Sequence, residues 1–151
     1  MDGSRQDGRD AMTGFAPFEK ALQKAHAWLQ EVGRELGTED PQRAHAALRG
    51  VLHALRDRLT VDEAAQLAAQ LPVLIRGIYY EGWDPSKVPV KVRHREDFLA
   101  LVEKHLGKMD VVTPEEAVPA VFAIIRRHVS EGEVEDVLAS MPQEIRELLA
   151  A

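Results

Sequence analysis

Apolar residues return every three or four positions along most of the chain, which is the spacing of one face of an α-helix. The clearest stretch predicts a helix over residues 17–36, and its apolar stripe consists of Phe18, Leu22, Ala25, Leu29, Val32 and Leu36. Gly37 follows directly, where a helix end favours a residue that can adopt a positive φ. The pattern therefore predicts a long amphipathic helix that ends at residue 36.

Three more helices are predicted in the first half of the chain. Asp40 and Pro41 have the residue types of an N-cap and a first helical position, and apolar residues at helical spacing follow them. Thr60 and Glu63 have the spacing of a capping box, in which each side chain bonds the backbone amide of the other residue. Pro72 ends or kinks the helix that this box opens. The predicted helices cover residues 41–58, 61–69 and 72–80.

The same succession of signals returns 70 residues later. Residues 98–151 align with residues 28–81 without a gap, and thirteen of the 54 aligned positions are identical. Further capping boxes are predicted at residues 113–116 and 130–133. An internal repeat of this kind indicates that the chain contains two copies of one helical unit.

The repeat and the helical pattern together predict the fold class. A unit of about 54 residues with one-sided helices would be only marginally stable alone. We therefore predict an all-α protein in which two tandem helical repeats pack as a pseudo-twofold helical bundle. The predicted organisation is a disordered N-terminal tail over residues 1–14, repeat one over 15–81, a linker over 82–97 and repeat two over 98–151.

Composition removes several functional classes. The net charge of -6 argues against general nucleic-acid binding, which needs a basic surface to neutralise phosphates. The chain has no cysteine, so disulfides, thiol catalysis and thiolate metal sites are excluded, and a cytoplasmic location is expected. No apolar run approaches the roughly 18 residues of a membrane span. The N-terminal tail lacks the apolar segment of a signal peptide.

The titratable residues predict no catalytic, metal or cofactor site. The histidines lack the spacing of zinc ligands on one helix and the Glu-x-x-His pairs of a di-iron bundle. The acidic residues cluster at predicted helix starts, where they complement the helix dipole. The six histidines are His26, His45, His53, His94, His105 and His128.

The linker has the most distinctive chemistry. Three large aromatic residues are followed by basic residues, and Pro85 and Pro89 keep this stretch extended or turned. One interpretation is a binding surface for an acidic or planar partner group. The other is a structural strap, in which the aromatic residues anchor the linker across the bundle and the cations are solvated. The candidate binding residues are Tyr79, Tyr80, Trp83, Lys87, Lys91 and Arg93.

Two arginines recur at the 70-residue offset, Arg56 with Arg126 and Arg76 with Arg146. Recurrence within one chain favours a structural role in each repeat. The first pair lies in the last turn of the predicted second helices, where a cation satisfies the carbonyl groups of its own helix. The second pair is expected to bridge to an acidic residue of a neighbouring helix.

Several sequence elements together resemble a known family. They are an aromatic-Leu-x-x-Val helix, a Leu-Gly stop, a capping box and a Pro-x-x-Ile-Arg ending. In this sequence they occur as Trp28-Leu29-x-x-Val32 and Phe98-Leu99-x-x-Val102, as Leu36-Gly37 and Leu106-Gly107, at Thr60 and Ser130, and in residues 70–76 and 140–146. Over about residues 18–151 the chain resembles the bacterial family called domain of unknown function 2267. The resemblance implies a small bacterial all-α protein and supplies no activity or catalytic residues.

These observations favour a non-enzymatic bacterial protein–protein interaction module. Its partner is expected to be another protein or a second copy of the chain, since the third helix has apolar residues on both faces. The alternative is a small-molecule-binding protein or an enzyme with a pocket at the repeat interface. The residues considered for a homodimer are Ala64, Ala65, Leu67, Ala68 and Leu71, and those considered for the pocket wall are Trp28, Tyr79, Tyr80 and Trp83.

Overall fold

A computed structural model describes residues 14–107 and 112–151, and it confirms the all-α prediction for this part of the chain, which contains no strand. The predicted disordered tail falls outside the described residues except for Gly14. The helices are α1 (Ala16–Leu36), α2 (Pro41–Arg58), α3 (Val61–Ala68), α4 (Val73–Tyr80), α5 (Arg95–Leu106), α6 (Pro114–His128), α7 (Glu131–Ala139) and α8 (Gln143–Leu149), with one turn of 3₁₀ helix at Pro85–Lys87.

The helix ends follow the predicted capping signals. Gly37 adopts a φ of 73°, and its amide donates to Arg34 O, which closes α1. The capping box of Thr60 and Glu63 is complete. At Ser130 the hydroxyl accepts from the Glu133 amide as predicted, whereas the Ser130 amide donates to Gln70 Oε1 at 2.7 Å. This second cap therefore uses a side chain from the first half of the chain.

The core lies around α2 and α6, which pack against each other at the centre of a helical bundle. Helix α2 also contacts α1, α3, α4 and α5, and α6 contacts α1, α5, α7 and α8. Each of these pairings has a counterpart 70 residues away, such as α2 with α5 and α6 with α1. This is the arrangement that the predicted pseudo-twofold bundle requires, and the symmetry itself stays a prediction.

The apolar residues considered for a homodimer lie mainly inside the protein. Ala64, Leu67, Ala68 and Leu71 are buried, because α3 packs against α2 and α7, and Ala65 is the exposed member of the set. These residues therefore provide no continuous apolar surface for a second copy of the chain.

The stripe of α1 is only partly buried, which departs from the expectation. Ala25 and Val32 belong to the core, whereas Phe18 is 63% exposed and Leu22 is 46% exposed. Helix α5 begins at Arg95, the position 70 residues after Ala25, so residues 16–24 of α1 have no α-helical counterpart before α5. The N-terminal part of α1 thus extends beyond the bundle core and carries apolar side chains in contact with solvent.

Candidate functional site

The aromatic residues at the end of α4 are anchors. Tyr79 is completely buried, and its hydroxyl donates to Ala64 O at 2.9 Å. Tyr80 is half-buried and lies between Tyr79 and Trp83, with 5.2 Å between ring centroids on each side. Trp83 also packs against the core, and its Nε1 is buried without a hydrogen-bond partner among the described residues. Tyr79, Tyr80 and Trp83 therefore have the geometry of the structural interpretation, in which aromatic residues anchor the chain to the bundle.

The following linker residues cross the end of α2. The Val90 amide donates to Asp57 O at 2.7 Å, and Arg58 Nε donates to Val92 O at 2.7 Å. The Val92 side chain is 7% exposed and belongs to the core cluster. The Val92 amide also donates to Val90 O at 2.9 Å, which makes a tight turn at Lys91. Residues 90–92 therefore form a non-helical strap that is held by the last turn of α2.

The basic linker residues are exposed. Lys87 Nζ lies 3.9 Å from Asp84 Oδ2, a contact that is too solvated to contribute much stability. Lys91 and Arg93 are exposed on either side of the buried Val92. The structure therefore separates the six candidate residues into a buried Tyr79, two half-buried aromatic residues and three exposed cations, and Tyr79 offers no surface to a partner.

Beneath the linker, α2 carries a buried polar cluster. Arg56 is 3% exposed; its Nη1 donates to Tyr79 O at 2.8 Å and to Glu81 O, and its Nε donates to Asp57 Oδ1 at 3.1 Å. His105 of α5 donates from Nε2 to Asp57 Oδ2 at 2.9 Å. The cluster thus joins α2 to the end of α4 and to α5.

The two arginine predictions are wrong in their partners. Arg56 satisfies the carbonyl groups at the end of α4 and not those of its own helix, while Arg126 is exposed over the Phe122 ring at 5.4 Å. Arg76 donates to Ala68 O at 2.8 Å and to Leu71 O at 2.9 Å. It therefore closes the end of α3 and does not bridge to an acidic residue.

Sequence reasoning missed the Asp57–His105 pair, because neither residue recurs at the 70-residue offset. The offset nevertheless relates this pair to a second one. Asp57 corresponds to Arg127 and His105 to Glu35, and Arg127 is hydrogen-bonded to Glu35. The same helix contact thus joins an acidic residue to a basic one in both places, with the two residue types exchanged. Comparing charge signs across the two repeats is the signal that could have found it.

Burial and neighbouring charges shift the pKa values in this cluster. Burial raises the pKa of Asp57, but the hydrogen bond from His105 and the charge of Arg56 outweigh it and hold that pKa below its ordinary value. Burial lowers the pKa of His53 to about 4, and the positive charges of Arg56, His105 and Arg49 act in the same direction. His53 is therefore neutral at pH 7 and donates from Nε2 to Ile78 O at 2.7 Å.

The His53 shift predicts a loss of stability in mild acid. The unfolded chain takes up a proton at His53 near pH 6.5 and the folded protein only near pH 4, so stability is unaffected above pH 6.5 and falls between these values. With an allowance for partial solvation, we expect a loss of about 1–3 kcal/mol in the free energy of unfolding by pH 4. Urea titrations at several pH values measure it. His53→Gln should flatten this slope, whereas the exposed His45→Gln should not. An unchanged slope in His53→Gln would contradict the assignment.

A groove lies between α1, the turn from α3 to α4, and the end of α6. It has a volume of about 500 Å³ and an open mouth. Trp28 forms part of its wall and stacks on His128 with 5.0 Å between ring centroids, and His128 Nε2 donates to Glu31 Oε2 at 2.7 Å. The lining residues are Pro17, Lys20, Ala21, Lys24, Trp28, Gln70, Leu71, Pro72, Val73, Arg76 and His128.

A second cavity of about 450 Å³ lies within the first half of the chain, between α1 and the start of α2. His26, Leu29, Gly33, Arg34 and Asp40 are among its lining residues. Neither cavity is lined by all four aromatic residues considered in the sequence, although the groove meets the second repeat at His128. Of the four aromatic residues considered for a pocket wall, Trp28 lines the groove, whereas the other three lie at the opposite end of α4 and line neither cavity.

Within residues 14–107 and 112–151, no three His, Asp or Glu side chains are grouped so that they could hold a metal ion. Over the same residues, no helix combines the length and apolar character needed to cross a bilayer.

Comparison with known proteins identifies the family. The chain matches the family model described as Uncharacterized conserved protein (DUF2267) over residues 25–148. The match begins at Ala25, where the buried part of α1 begins, and it extends into α8. No curated protein matches the chain. Because the match covers well over half of the chain, the resemblance seen in the sequence is confirmed, and the protein belongs to the DUF2267 family.

Proposed function

We propose that this protein is a non-enzymatic protein–protein interaction module of the bacterial cytoplasm. The observation that carries the proposal is the apolar surface of the N-terminal part of α1. Phe15, Phe18 and Leu22 are all exposed, and the Phe15 and Phe18 rings pack edge to face at 5.2 Å. Grouped exposed apolar side chains beside a groove are typical of an interaction site.

Exposure of these residues is unfavourable unless something covers them. Full burial of one Leu or Phe side chain is worth about 1.5–3 kcal/mol. Phe18 and Leu22 continue the stripe that is buried from Ala25 onward, so a partner on this surface would extend the existing core. Val73 and Leu74 at the start of α4 are also exposed, and Val73 lines the groove. We call the exposed residues Phe15, Phe18, Leu22, Val73 and Leu74 the apolar surface.

Affinity capture from an extract of the source bacterium tests the proposal. The tagged wild type should retain a stoichiometric protein partner, and Phe18→Ser combined with Leu22→Ser should lose it, because the partner would bury both side chains. Both positions are exposed, so the variant should unfold within about 0.5 kcal/mol of wild type. The matched control is Gln23→Ser with Ala27→Ser on exposed positions of the same helix. Equal capture by all three proteins would contradict the proposal.

The exposed linker cations are a second surface for the same function. Lys91 and Arg93 flank the buried Val92 and project from the strap, where they are available to acidic groups of a partner. Lys91→Ala with Arg93→Ala in the same capture experiment separates this surface from the apolar surface. Loss of the partner in this variant alone would assign the linker as the binding site.

A small-molecule-binding role is the second candidate function. The cavity between α1 and α2 has a volume within the range of ligand pockets, about 300–1,000 Å³, and its lining combines apolar side chains with His26, Arg34 and Asp40. Native mass spectrometry of the protein purified from its source tests it. A stoichiometric co-purifying small molecule, together with no captured protein, would favour this candidate.

A further inference from the structure

The two stretches that precede the aligned parts of α1 and α5 have different conformations. Residues 16–24 form the first turns of α1, whereas residues 86–94, at the 70-residue offset, include the non-helical strap before α5. The consequence is visible at one pair of positions. Val92 is buried against the core, while Leu22, its counterpart, is exposed.

One residue that holds the strap has its counterpart in the groove. Arg58 of α2 donates to Val92 O, and the counterpart of Arg58 is His128, which lines the groove. The groove therefore lies at the end of α6, and the strap lies at the corresponding end of α2.

The groove lining is basic, in contrast to the acidic chain as a whole. Lys20, Lys24, Arg76 and His128 line it, and its lining contains no Asp or Glu, although the whole chain has a net charge of -6. Glu31 partly balances this charge through its hydrogen bond with His128. In the part of the chain that the structure describes, Lys20 and Lys24 form no ion pair. The groove thus combines apolar walls with two cations that are available to an acidic occupant.

We propose that the groove binds a non-helical segment of a partner protein, in which β-branched or other apolar side chains alternate with carboxylates. The segment would lie at the end of α6 as the strap lies at the end of α2, with an apolar side chain near Val73 and carboxylates near Lys20 and Lys24. This inference rests on the proposed function and names the kind of partner sequence that the apolar surface receives. The strap indicates how the backbone of such a segment would lie. The cations of the groove indicate that the charged residues of the segment are acidic.

A pair of synthetic peptides tests the inference with the full-length protein. The first has the sequence of residues 86–94 with Lys87→Glu, Lys91→Glu, Arg93→Glu and His94→Glu, and the second has the native sequence. Fluorescence anisotropy should show saturable binding of the acidic peptide and at least ~10-fold weaker binding of the native peptide, because like charges oppose it. Binding of the acidic peptide should weaken as salt is raised, since the lysines are exposed.

Protein variants locate the binding. Lys20→Glu with Lys24→Glu should weaken the acidic peptide by at least ~10-fold. Arg95→Glu with Lys104→Glu makes the same change in net charge at exposed positions away from the groove, and it should leave the affinity within about 2-fold of wild type. Equal losses in both variants would show a general charge effect and would overturn the inference.

Other outcomes separate the inference from the proposed function. If neither peptide binds while capture still depends on Phe18 and Leu22, the partner is not a strap-like acidic segment and the inference fails, although the interaction module stands. If vesicles of phosphatidylglycerol and phosphatidylcholine bind in a manner that depends on Lys20 and Lys24, and the acidic peptide does not, the surface contacts lipid and the inference is again overturned.

Discussion

Arg56→Ala is expected to lower the free energy of unfolding by about 3–5 kcal/mol. The guanidinium group is 3% exposed and donates to Tyr79 O, to Glu81 O and to Asp57 Oδ1. Its removal leaves carbonyl groups at the end of α4 without these donors and a half-buried carboxylate without its cation, and each such group is costly. Urea unfolding monitored by circular dichroism measures the loss.

The chain provides a matched control at the 70-residue offset. Arg126 occupies the corresponding place in α6, but it is exposed and its identified contact is with the Phe122 ring. Arg126→Ala should therefore cost only about 0.5–1 kcal/mol. Similar losses for the two variants would contradict the conclusion that the Arg56 cluster ties α2 to the end of α4.

Trp28→Ala is expected to cost about 3–5 kcal/mol, the range for truncating a buried aromatic residue. Trp28 is 2% exposed and stacks on His128, so the substitution leaves a cavity in the core and removes contacts between α1 and α6. It also opens the wall of the groove. The same urea titration measures the change, and a loss below about 1 kcal/mol would show that the bundle closes the cavity.

Trp28→Phe is the second substitution to compare with Trp28→Ala, because it keeps an aromatic ring at this position. Phe98, at the 70-residue offset, is fully buried in the core. A phenylalanine at position 28 should keep much of the aromatic packing, so we expect less than half of the loss seen in Trp28→Ala. Comparable losses for the two substitutions would indicate that the stacking on His128, and not the volume of the ring, stabilises this contact.

The apolar stripe of α1 illustrates what sequence patterns cannot resolve. Phe18 and Leu22 lie on the same helical stripe as Ala25, and the pattern treats all three alike. The structure separates them, because the neighbouring helices cover α1 only from Ala25 onward. Exposure depends on which elements lie opposite a stripe, and periodicity contains no information about that.

The aromatic residues at the end of α4 and in the linker show the same limit, because their burial could not be predicted from the sequence pattern. The sequence offered a binding surface and a structural strap as alternatives for Tyr79, Tyr80 and Trp83. Tyr79 is inside the protein with its hydroxyl bonded to Ala64 O, and this follows from the packing of α4 against α2 and α1. Whether the exposed Lys91 and Arg93 bind a partner stays a prediction.

The sequence by itself determined the helices and their ends. Helix α2 covers Pro41–Arg58 as predicted, and α3 and α4 agree to within one residue, because N-caps, proline and left-handed glycine act on the backbone within a few positions. The tertiary structure alone decided that Arg56 is buried while Arg126 is exposed, and that Asp57 meets His105. Those contacts join residues far apart in the chain, so their energies depend on how whole helices pack and not on any local pattern.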